Sequence, residues 1–185
     1  MSAPAGRGSR RAWGWHPLVD EWAARVVAAA GVRAGDLVLD LGAGDGALTA
    51  HLVAAGARVL AIELHPGRVA TLRRRFADAQ VTVVAADASE LRLPARPFRV
   101  VASPPYGVSS GLIRTLLQPR SRLLSADLVL QRAAARRFAD GGGTRRWTLS
   151  VGYPLPRRAF RPPPQVDSAV LQIRRARGPA GMRRT

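Results

Sequence analysis

Hydrophobic positions along this chain form short continuous runs that alternate with segments of helical spacing. Apolar residues recur every three or four positions from Pro17 to Ala30, which predicts a helix that ends at Gly31. Continuous apolar runs, typical of buried strands, predict strands at 37–41, 58–63, 81–85, 98–102 and 127–130. Helical spacing between these runs predicts helices at 48–55, 65–77 and 110–117, and a further helix that runs through Phe138 to the glycines at 141–143.

The regular alternation of strands and helices predicts an α/β fold with a doubly wound, mostly parallel sheet. The last two strands, 148–151 and 169–173, follow each other without a helix, and the prolines at 162–164 lie between them. These two strands are therefore expected to form an antiparallel pair at one end of a seven-stranded sheet. We expect a flexible basic arm at 1–12, a single domain at 13–175 and a basic tail at 176–185.

The charge balance of the chain is strongly basic. There are 29 basic residues, all of them arginine, against 12 acidic ones, so the net charge is +17 in 185 residues. Such an excess predicts a polyanionic partner, and nucleic acid is the first expectation. The candidate RNA-binding residues are Arg10, Arg11, Arg132, Arg136, Arg137, Arg145, Arg146, Arg157 and Arg158.

Several classes of protein are disfavoured by what the sequence lacks. No apolar run approaches the ~20 residues that span a membrane, and the basic N-terminus has no apolar core of a secretory signal. The chain has no cysteine, and His16, His51 and His65 are far apart in sequence, so we expect no metal site. We expect a cytoplasmic monomer that makes no contact with membranes.

A glycine-rich turn follows the first predicted strand and opens the next helix. Its spacing is G-x-G-x-G over residues 42–46, whereas a dinucleotide motif places its last glycine three positions on. Asp40 and Asp45 would repel a pyrophosphate but suit the cationic amino-acid end of S-adenosyl-L-methionine, which is the predicted cofactor. Glu63 and Asp87 end the next two strands, where their carboxylates can accept hydrogen bonds from ribose hydroxyls and an adenine amino group. The candidate cofactor contacts are His16, Gly42, Ala43, Gly44, Glu63, Leu64, Asp87, Ala88 and Ser103.

The segment Ser103-Pro104-Pro105-Tyr106 follows the fourth predicted strand. Proline lacks a backbone N–H and stiffens the chain, so carbonyl groups of this loop are left to accept hydrogen bonds from elsewhere. Together with a small polar side chain and an aromatic ring, these carbonyls can form a cup for a flat base that carries an amino group. A Pro-Pro turn with a core tyrosine is the alternative interpretation of this segment.

The glycine turn, the two strand-end carboxylates, the Ser-Pro-Pro-Tyr segment and residues 160–170 occur in the order of a known family. Residues 160–170, FRPPPQVDSAV, resemble the F-x-P-x-P-x-V-D-S-A-V signature of the rRNA adenine N6-methyltransferases, which comprise the KsgA dimethyltransferases and the Erm macrolide-resistance methyltransferases. The compact chain and residues 110–117 are more similar to Erm. This resemblance implies a Rossmann-like, S-adenosylmethionine-dependent enzyme. Its implied substrate is an adenine of 23S rRNA, in naked RNA or in a pre-ribosomal particle, and its implied effect is resistance to macrolides, lincosamides and streptogramin B.

The resemblance also implies roles for the catalytic candidates Ser103, Pro104, Tyr106 and Phe160. The Ser103 hydroxyl and the Pro104 carbonyl would accept the two N–H bonds of the target amine. Tyr106 would stack on one face of the base, and Phe160 would close the other. Ser103 replaces the asparagine that the family usually has, and His16 lies where the family has Gln-Asn-Phe, at the rim of the cofactor site.

The resemblance ends near residue 175. We therefore expect a short form without the C-terminal helical domain of most family members, in which arginines bind the RNA instead. Ser-Pro-Pro-Tyr also occurs in cytosine N4-methyltransferases. Two alternatives stay open, namely a DNA or RNA amino-methyltransferase with another target and a non-catalytic nucleic-acid-binding relative.

Overall fold

The computed structural model describes residues 16–141 and 143–176, apart from the side chain of Tyr106. The predicted basic arm, with Arg10 and Arg11, and nearly all of the predicted basic tail lie outside the described residues. The strands are β1 (Leu37–Leu41), β2 (Arg58–Glu63), β3 (Val81–Ala85), β4 (Phe98–Ala102), β5 (Leu123–Gln131), β6 (Trp147–Leu155) and β7 (Ser168–Arg175). The α-helices are α1 (Asp20–Ala30), α2 (Ala47–Ala54), α3 (Pro66–Arg75), α4 (Ser109–Leu116) and α5 (Arg132–Asp140). Short 3₁₀ turns lie at Ala88–Glu90, Tyr106–Val108 and Arg157–Ala159.

In the described part of the chain, the seven strands form one sheet in the order β3-β2-β1-β4-β5-β7-β6. The first five strands pair in parallel, and β7 pairs antiparallel with both β5 and β6. The predicted α/β class and the antiparallel pair at one end of the sheet are therefore confirmed. The strand order reverses direction between β1 and β4. This position is the topological switch point, where α/β proteins bind ligands.

The first four strands have the predicted bounds, whereas the last three are longer than predicted. For β7, the polar residues Ser168 and Arg174 bound the predicted run at 169–173, yet both pair within the sheet. Ser125 of β5 and Arg174 of β7 are register partners, and Arg174 Nη2 donates to Asp127 Oδ1 at 2.7 Å. A polar residue that pairs with another polar residue on a neighbouring strand does not end its own strand. The partner lies far away in sequence, so this pairing cannot be recognised from one segment alone.

The first helix begins at Asp20 and not at Pro17, although it ends as predicted at Gly31, whose φ is 63°. Residues 17–19 instead run beside the chain at 159–161. Val19 N donates to the Ala159 carbonyl at 2.9 Å, and Arg161 N donates to the Pro17 carbonyl at 3.0 Å. The apolar residues at 17–19 therefore belong to an extended segment and not to the helix.

Successive residues of the central strands face opposite sides of the sheet, and each side has its own apolar core. Val38 packs with residues of α1, α2 and α3, including Val26, Leu52 and Leu72. Leu39 packs on the other side, with residues of α4 and α5. Strands covered on both faces read as continuous apolar runs, which is why their bounds could be predicted.

Because β1, β2, β3 and β4 are parallel, their carboxyl ends meet at one edge of the sheet. The glycine turn, Glu63, Asp87 and Ser103 all follow these ends, so the fold brings together segments that are far apart in sequence. Among the residues described, no helix is long and apolar enough to cross a membrane.

Candidate functional site

The glycine turn at 42–46 is packed between two other segments. Gly42 and Gly46 have φ values of 73° and 88°, a region that side chains with a Cβ avoid. A Cβ at Gly42 would lie 3.0 Å from Pro105 Cδ, and a Cβ at Gly46 would lie 2.5 Å from Phe76 Cε2. Glycine at these two positions therefore allows close contact with the Ser-Pro-Pro-Tyr loop on one side and with α3 on the other.

Arg75, at the end of α3, also holds the glycine turn. Its Nη1 donates to the Asp45 carbonyl at 2.7 Å, and its guanidinium lies 5.2 Å from the centroid of the Phe76 ring. Arg75 follows Arg73 and Arg74, which are exposed on the same helix. Arg75 is exposed but also lines the site, a role that its position in an arginine run did not indicate.

A cavity of about 540 Å³ opens at the carboxyl ends of the strands, a size suited to a small organic cofactor. All nine predicted cofactor contacts line it, together with Pro104. They are His16, Gly42, Ala43, Gly44, Glu63, Leu64, Asp87, Ala88 and Ser103. Asp40 and Asp45, which the sequence analysis matched to the cationic end of the cofactor, also line the cavity. The wall further includes residues that the sequence did not single out, namely Leu18, Leu48, Ile62, Arg68, Arg75 and Val108.

Asp40 is the most buried acid of this cavity. Its Oδ2 accepts a hydrogen bond from Thr49 Oγ1 at 2.7 Å, while its Oδ1 has no partner within the described residues. Burial is the main cause that raises the pKa of Asp40 to about 7; the hydrogen bond from Thr49 lowers the pKa, and the nearby charge of Glu63 raises it. A buried carboxyl oxygen without a partner, in the wall of a cavity, fits a cationic group of a ligand.

Glu63 ties the end of β2 to the glycine turn. Its Oε2 accepts from Gly44 N at 2.8 Å, and its Oε1 accepts from Leu64 N at 3.0 Å and His65 N at 2.9 Å. Arg68 Nη1 lies 4.0 Å from Oε1. The carboxylate is therefore fixed in position, and its remaining lone pairs can accept from the hydroxyls of a ribose.

Asp87 begins the 3₁₀ turn at Ala88–Glu90, and its Oδ1 accepts from Ser89 N at 2.7 Å. This hydrogen bond lowers the pKa of Asp87, so the side chain is a charged acceptor at neutral pH. The acids that line the cavity lie in or after different strands and do not form one cluster. Within residues 16–141 and 143–176, no three His, Cys, Asp or Glu side chains come together as a group that could hold a metal ion.

His16 lines the cavity and connects it to the proline-rich loop. His16 Nδ1 donates to the Pro162 carbonyl at 2.9 Å, and Leu18 pairs with Phe160 in an antiparallel bridge. Arg157 Nε donates to the Pro164 carbonyl at 2.7 Å and so fixes the far end of the loop. Hydrogen bonds from both the backbone and the His16 side chain therefore join the segment at 16–19 to the loop.

The catalytic candidates do not all lie on the cavity wall. Ser103 and Pro104 line it, as does Pro105. The side chain of Tyr106 lies outside what the structure describes. Phe160 is only 3% exposed, belongs to the core with Leu18 and does not line the cavity. Its contact with a target base stays a prediction, since the structure shows a packing role for this ring.

The predicted RNA-binding arginines within the described residues lie at the surface. Exposed members are Arg132, Arg136, Arg137, Arg145, Arg146, Arg157 and Arg158. Arg132 Nη1 lies 3.8 Å from Asp167 Oδ2, and Arg146 Nη1 donates to the Pro119 carbonyl at 2.7 Å. These contacts orient two of the side chains without burying them.

Comparison with known proteins relates this arrangement to rRNA modification. The sequence matches the ribosomal RNA adenine dimethylase family over residues 9–182. It is 40% identical over 151 residues to the mycinamicin-resistance protein MyrB of Micromonospora griseorubida, which covers 77% of this chain and 48% of MyrB. It is 36% identical over 189 aligned positions to the ribosomal RNA small subunit methyltransferase A of Anaeromyxobacter sp. (strain K), which covers 88% of this chain and 66% of that protein. The chain therefore spans about half to two thirds of the length of these curated relatives.

Solved structures have the same fold. The 23S rRNA methyltransferase ErmE superposes with a TM-score of 0.78 at 30% identity, over 88% of this chain and 70% of ErmE. A dimethyladenosine transferase from Plasmodium falciparum superposes with a TM-score of 0.75 at 25% identity, over 87% of this chain and 64% of that chain. The predicted Rossmann-like methyltransferase fold is confirmed by these likenesses.

Proposed function

Because the chain belongs to the ribosomal RNA adenine dimethylase family, we propose that it methylates N6 of an adenine in 23S rRNA, with S-adenosyl-L-methionine as the methyl donor. The observation that carries this proposal is the shared cavity. Ser103 and Pro104, the predicted acceptors for the target amine, line the same cavity as the other eight predicted cofactor contacts. A methyl donor and a nucleobase amine can meet only where their two binding sites join.

The cavity residues fit the cofactor group by group. The unpaired oxygen of Asp40 would accept from the ammonium of its amino-acid end. Glu63 would accept from the ribose hydroxyls, and Asp87 from the amino group of the cofactor's adenine. When bound, S-adenosyl-L-methionine supplies an electrophilic methyl group on a sulfonium.

The target amine is a weak nucleophile because its lone pair is delocalised into the adenine ring. The Ser103 hydroxyl and the Pro104 carbonyl would accept its two N–H bonds and so direct the lone pair away from the ring plane. This requires the adenine to leave its base stack, and Tyr106 would hold the unstacked base by ring stacking. No strong base is needed, since the proton can leave after methyl transfer. Orientation and exclusion of water then provide most of the rate.

The choice of 23S rRNA rests on two likenesses. MyrB is named for mycinamicin resistance, and ErmE is a 23S rRNA methyltransferase. By this proposal the chain acts as a cytoplasmic monomer on 23S rRNA or a pre-ribosomal particle and confers resistance to macrolides, lincosamides and streptogramin B. An adenine of the small-subunit rRNA is the second candidate, because relatives named for that activity are 36% identical.

Primer extension on rRNA from a bacterial host that expresses the chain tests the proposal. We expect a reverse-transcription stop, characteristic of dimethyladenine, at an adenine of 23S rRNA, together with macrolide resistance of the host. A host that expresses Asp40→Ala is the control and should give neither. A stop only in the small-subunit rRNA would replace the first candidate by the second. Transfer of labelled methyl to DNA and not to either rRNA would contradict both.

A further inference from the structure

A second concavity lies at the opposite edge of the sheet from the cofactor cavity. This amino-end groove has a volume of about 540 Å³ and is lined by Leu37, Arg58 and Val81, the first residues of β1, β2 and β3. The chain that leads from the 3₁₀ turn at Ala88–Glu90 to β4 contributes Arg92, Pro94 and Arg96. The strands between the two sites have five or six residues, so at ~3.3 Å per residue the sites are roughly 17–20 Å apart.

The three arginines of the amino-end groove have no carboxylate partners within the described part of the chain. Arg58 Nη2 donates weakly to the Gly35 carbonyl at 3.4 Å, and neither Arg92 nor Arg96 forms an ion pair with a described residue. No Asp or Glu is among the described residues that line the groove. Other arginines do pair with acids, for example Arg99 with Asp36 at 2.8 Å. The groove therefore concentrates uncompensated positive charge, which favours an anionic ligand.

The floor of the groove is apolar and its rim is polar. Leu37, Leu60 and Val81 are half-buried, while Gln80 and Thr82 are exposed beside them. A flat apolar ring system can lie on such a floor while phosphates contact the guanidinium groups. A nucleotide has this combination of an uncharged base and an anionic phosphate, and RNA repeats it along its length.

We propose that the amino-end groove binds a segment of the RNA substrate remote from the adenine that is methylated. The inference rests on the proposed function, since it names a second contact for the same substrate. An RNA can reach both sites along the edge of the sheet at β3, which has no neighbouring strand on its outer side in the described structure. The substrate class is therefore an RNA that extends from the target adenine over the roughly 17–20 Å between the two sites, and not a hairpin too short to span them.

A matched pair of triple variants tests the groove. Arg58→Gln, Arg92→Gln and Arg96→Gln remove its charge, whereas Arg114→Gln, Arg120→Gln and Arg122→Gln remove three exposed arginines that do not line it. Binding of a long 23S rRNA fragment and of a short hairpin with the target adenine is measured against salt concentration. If the groove variant loses three phosphate contacts, its plot of log affinity against log salt for the long fragment should be less steep by about 2. The hairpin affinity of the groove variant should equal that of the control variant.

Equal losses for the two triple variants on the long fragment would overturn the proposal, because charge alone would then account for binding. A second outcome would also overturn the proposal. If the wild-type chain binds ADP and the groove variant does not, while both bind RNA equally well, the groove is a site for a free nucleotide. RNA affinity is measured without methyl transfer, so a groove effect without any methylation would uphold the groove and contradict the proposed function. If the groove variant does not fold, wild-type chain is crosslinked to 4-thiouridine RNA. Crosslinks in peptides from 79–96 support the groove, and their absence overturns it.

Discussion

Asp40 is a buried carboxyl group whose charge depends on pH near neutrality, because burial raises its pKa to about 7 from the ordinary 3.8. Between pH 4 and 7 the unfolded chain loses this proton while the folded chain keeps it. The free energy of unfolding of the cofactor-free protein should therefore fall as the pH rises through this range and level off above 7. Thermal melts of wild type and Asp40→Asn check this, since the variant should lack that component.

Cofactor affinity should show the opposite dependence on pH. A cationic ammonium is held by the ionised form of Asp40, so affinity should rise with pH by up to about tenfold per unit below 7 and level off above it. Calorimetry from pH 5.5 to 8 measures this slope. Asp40→Asn should bind more weakly and with a flatter profile, since its amide can still accept from Thr49. An unchanged slope in the variant would assign the titration to another group.

Ser103 is the residue at which the site departs from its family, and it lines the cofactor cavity. Ser103→Ala removes one of the two predicted acceptors for the target amine. We expect kcat to fall by roughly 3- to 10-fold, the worth of one neutral hydrogen bond of about 0.5–1.5 kcal/mol. Because Ser103 is also a predicted cofactor contact, cofactor affinity is measured separately, so that kcat is compared at saturating cofactor. Ser103→Asn restores an acceptor of the family type and should recover kcat, whereas equal activity of the alanine variant would remove Ser103 from the mechanism.

At the scale of elements, α3 fixes the shape of the glycine turn through Arg75 and Phe76. Arg75→Gln breaks the hydrogen bond of 2.7 Å to the Asp45 carbonyl and the contact with the Phe76 ring. Cofactor affinity should fall about 3- to 10-fold with little change in melting temperature. Arg74→Gln is the matched control, because Arg74 lies on the same helix and donates to Thr71 Oγ1 and not to the glycine turn. Equal losses in both variants would show a general charge effect.

The pairing of residues 16–19 with 159–162 joins the proline-rich loop to the cofactor side. Phe160 lies in the core at this junction, so Phe160→Ala should destabilise the fold by about 3–5 kcal/mol, and Phe160→Leu by less than about 1.5 kcal/mol. Denaturant unfolding measures both. If Phe160 acts through packing, Phe160→Leu should keep methyl transfer. Loss of activity in a stable leucine variant would instead support stacking on the target base.

The elements that could be predicted from the sequence are those whose pattern is local. Strands β1, β2 and β4 are largely buried, and the edge strand β3 is half-buried, but all four are mainly apolar runs that mark their own ends. The nine predicted cofactor contacts line one cavity, as expected of residues most of which follow a strand or belong to a recognisable motif, and their contact with the cofactor stays a prediction. The cavity roles of Arg68 and Arg75 were missed because they depend on how α3 packs against a turn that is far away in sequence. The start of α1 was misplaced for the same reason, since residues 17–19 pair with a loop more than a hundred residues away.

For the whole molecule, the net charge of +17 should give salt two opposite effects. Self-repulsion among the arginines destabilises the compact state, and salt screens it because the Debye length falls from about 10 Å at 0.1 M to about 3 Å at 1 M. Melting temperature should therefore rise between 0.05 and 0.5 M NaCl. RNA affinity should fall over the same range, because salt competes with the contacts between arginine and phosphate.

Calorimetric melts and RNA titrations in the same buffers measure the two effects together. The variant without Arg114, Arg120 and Arg122 carries less charge, so its melting temperature should rise less with salt. A melting temperature that falls with salt would mean that attractive pairs such as Arg174 with Asp127 outweigh the repulsion. A flat dependence of log affinity on log salt would mean that phosphate contacts do not dominate RNA binding. Only rising stability together with falling affinity assigns both properties to the same surface arginines.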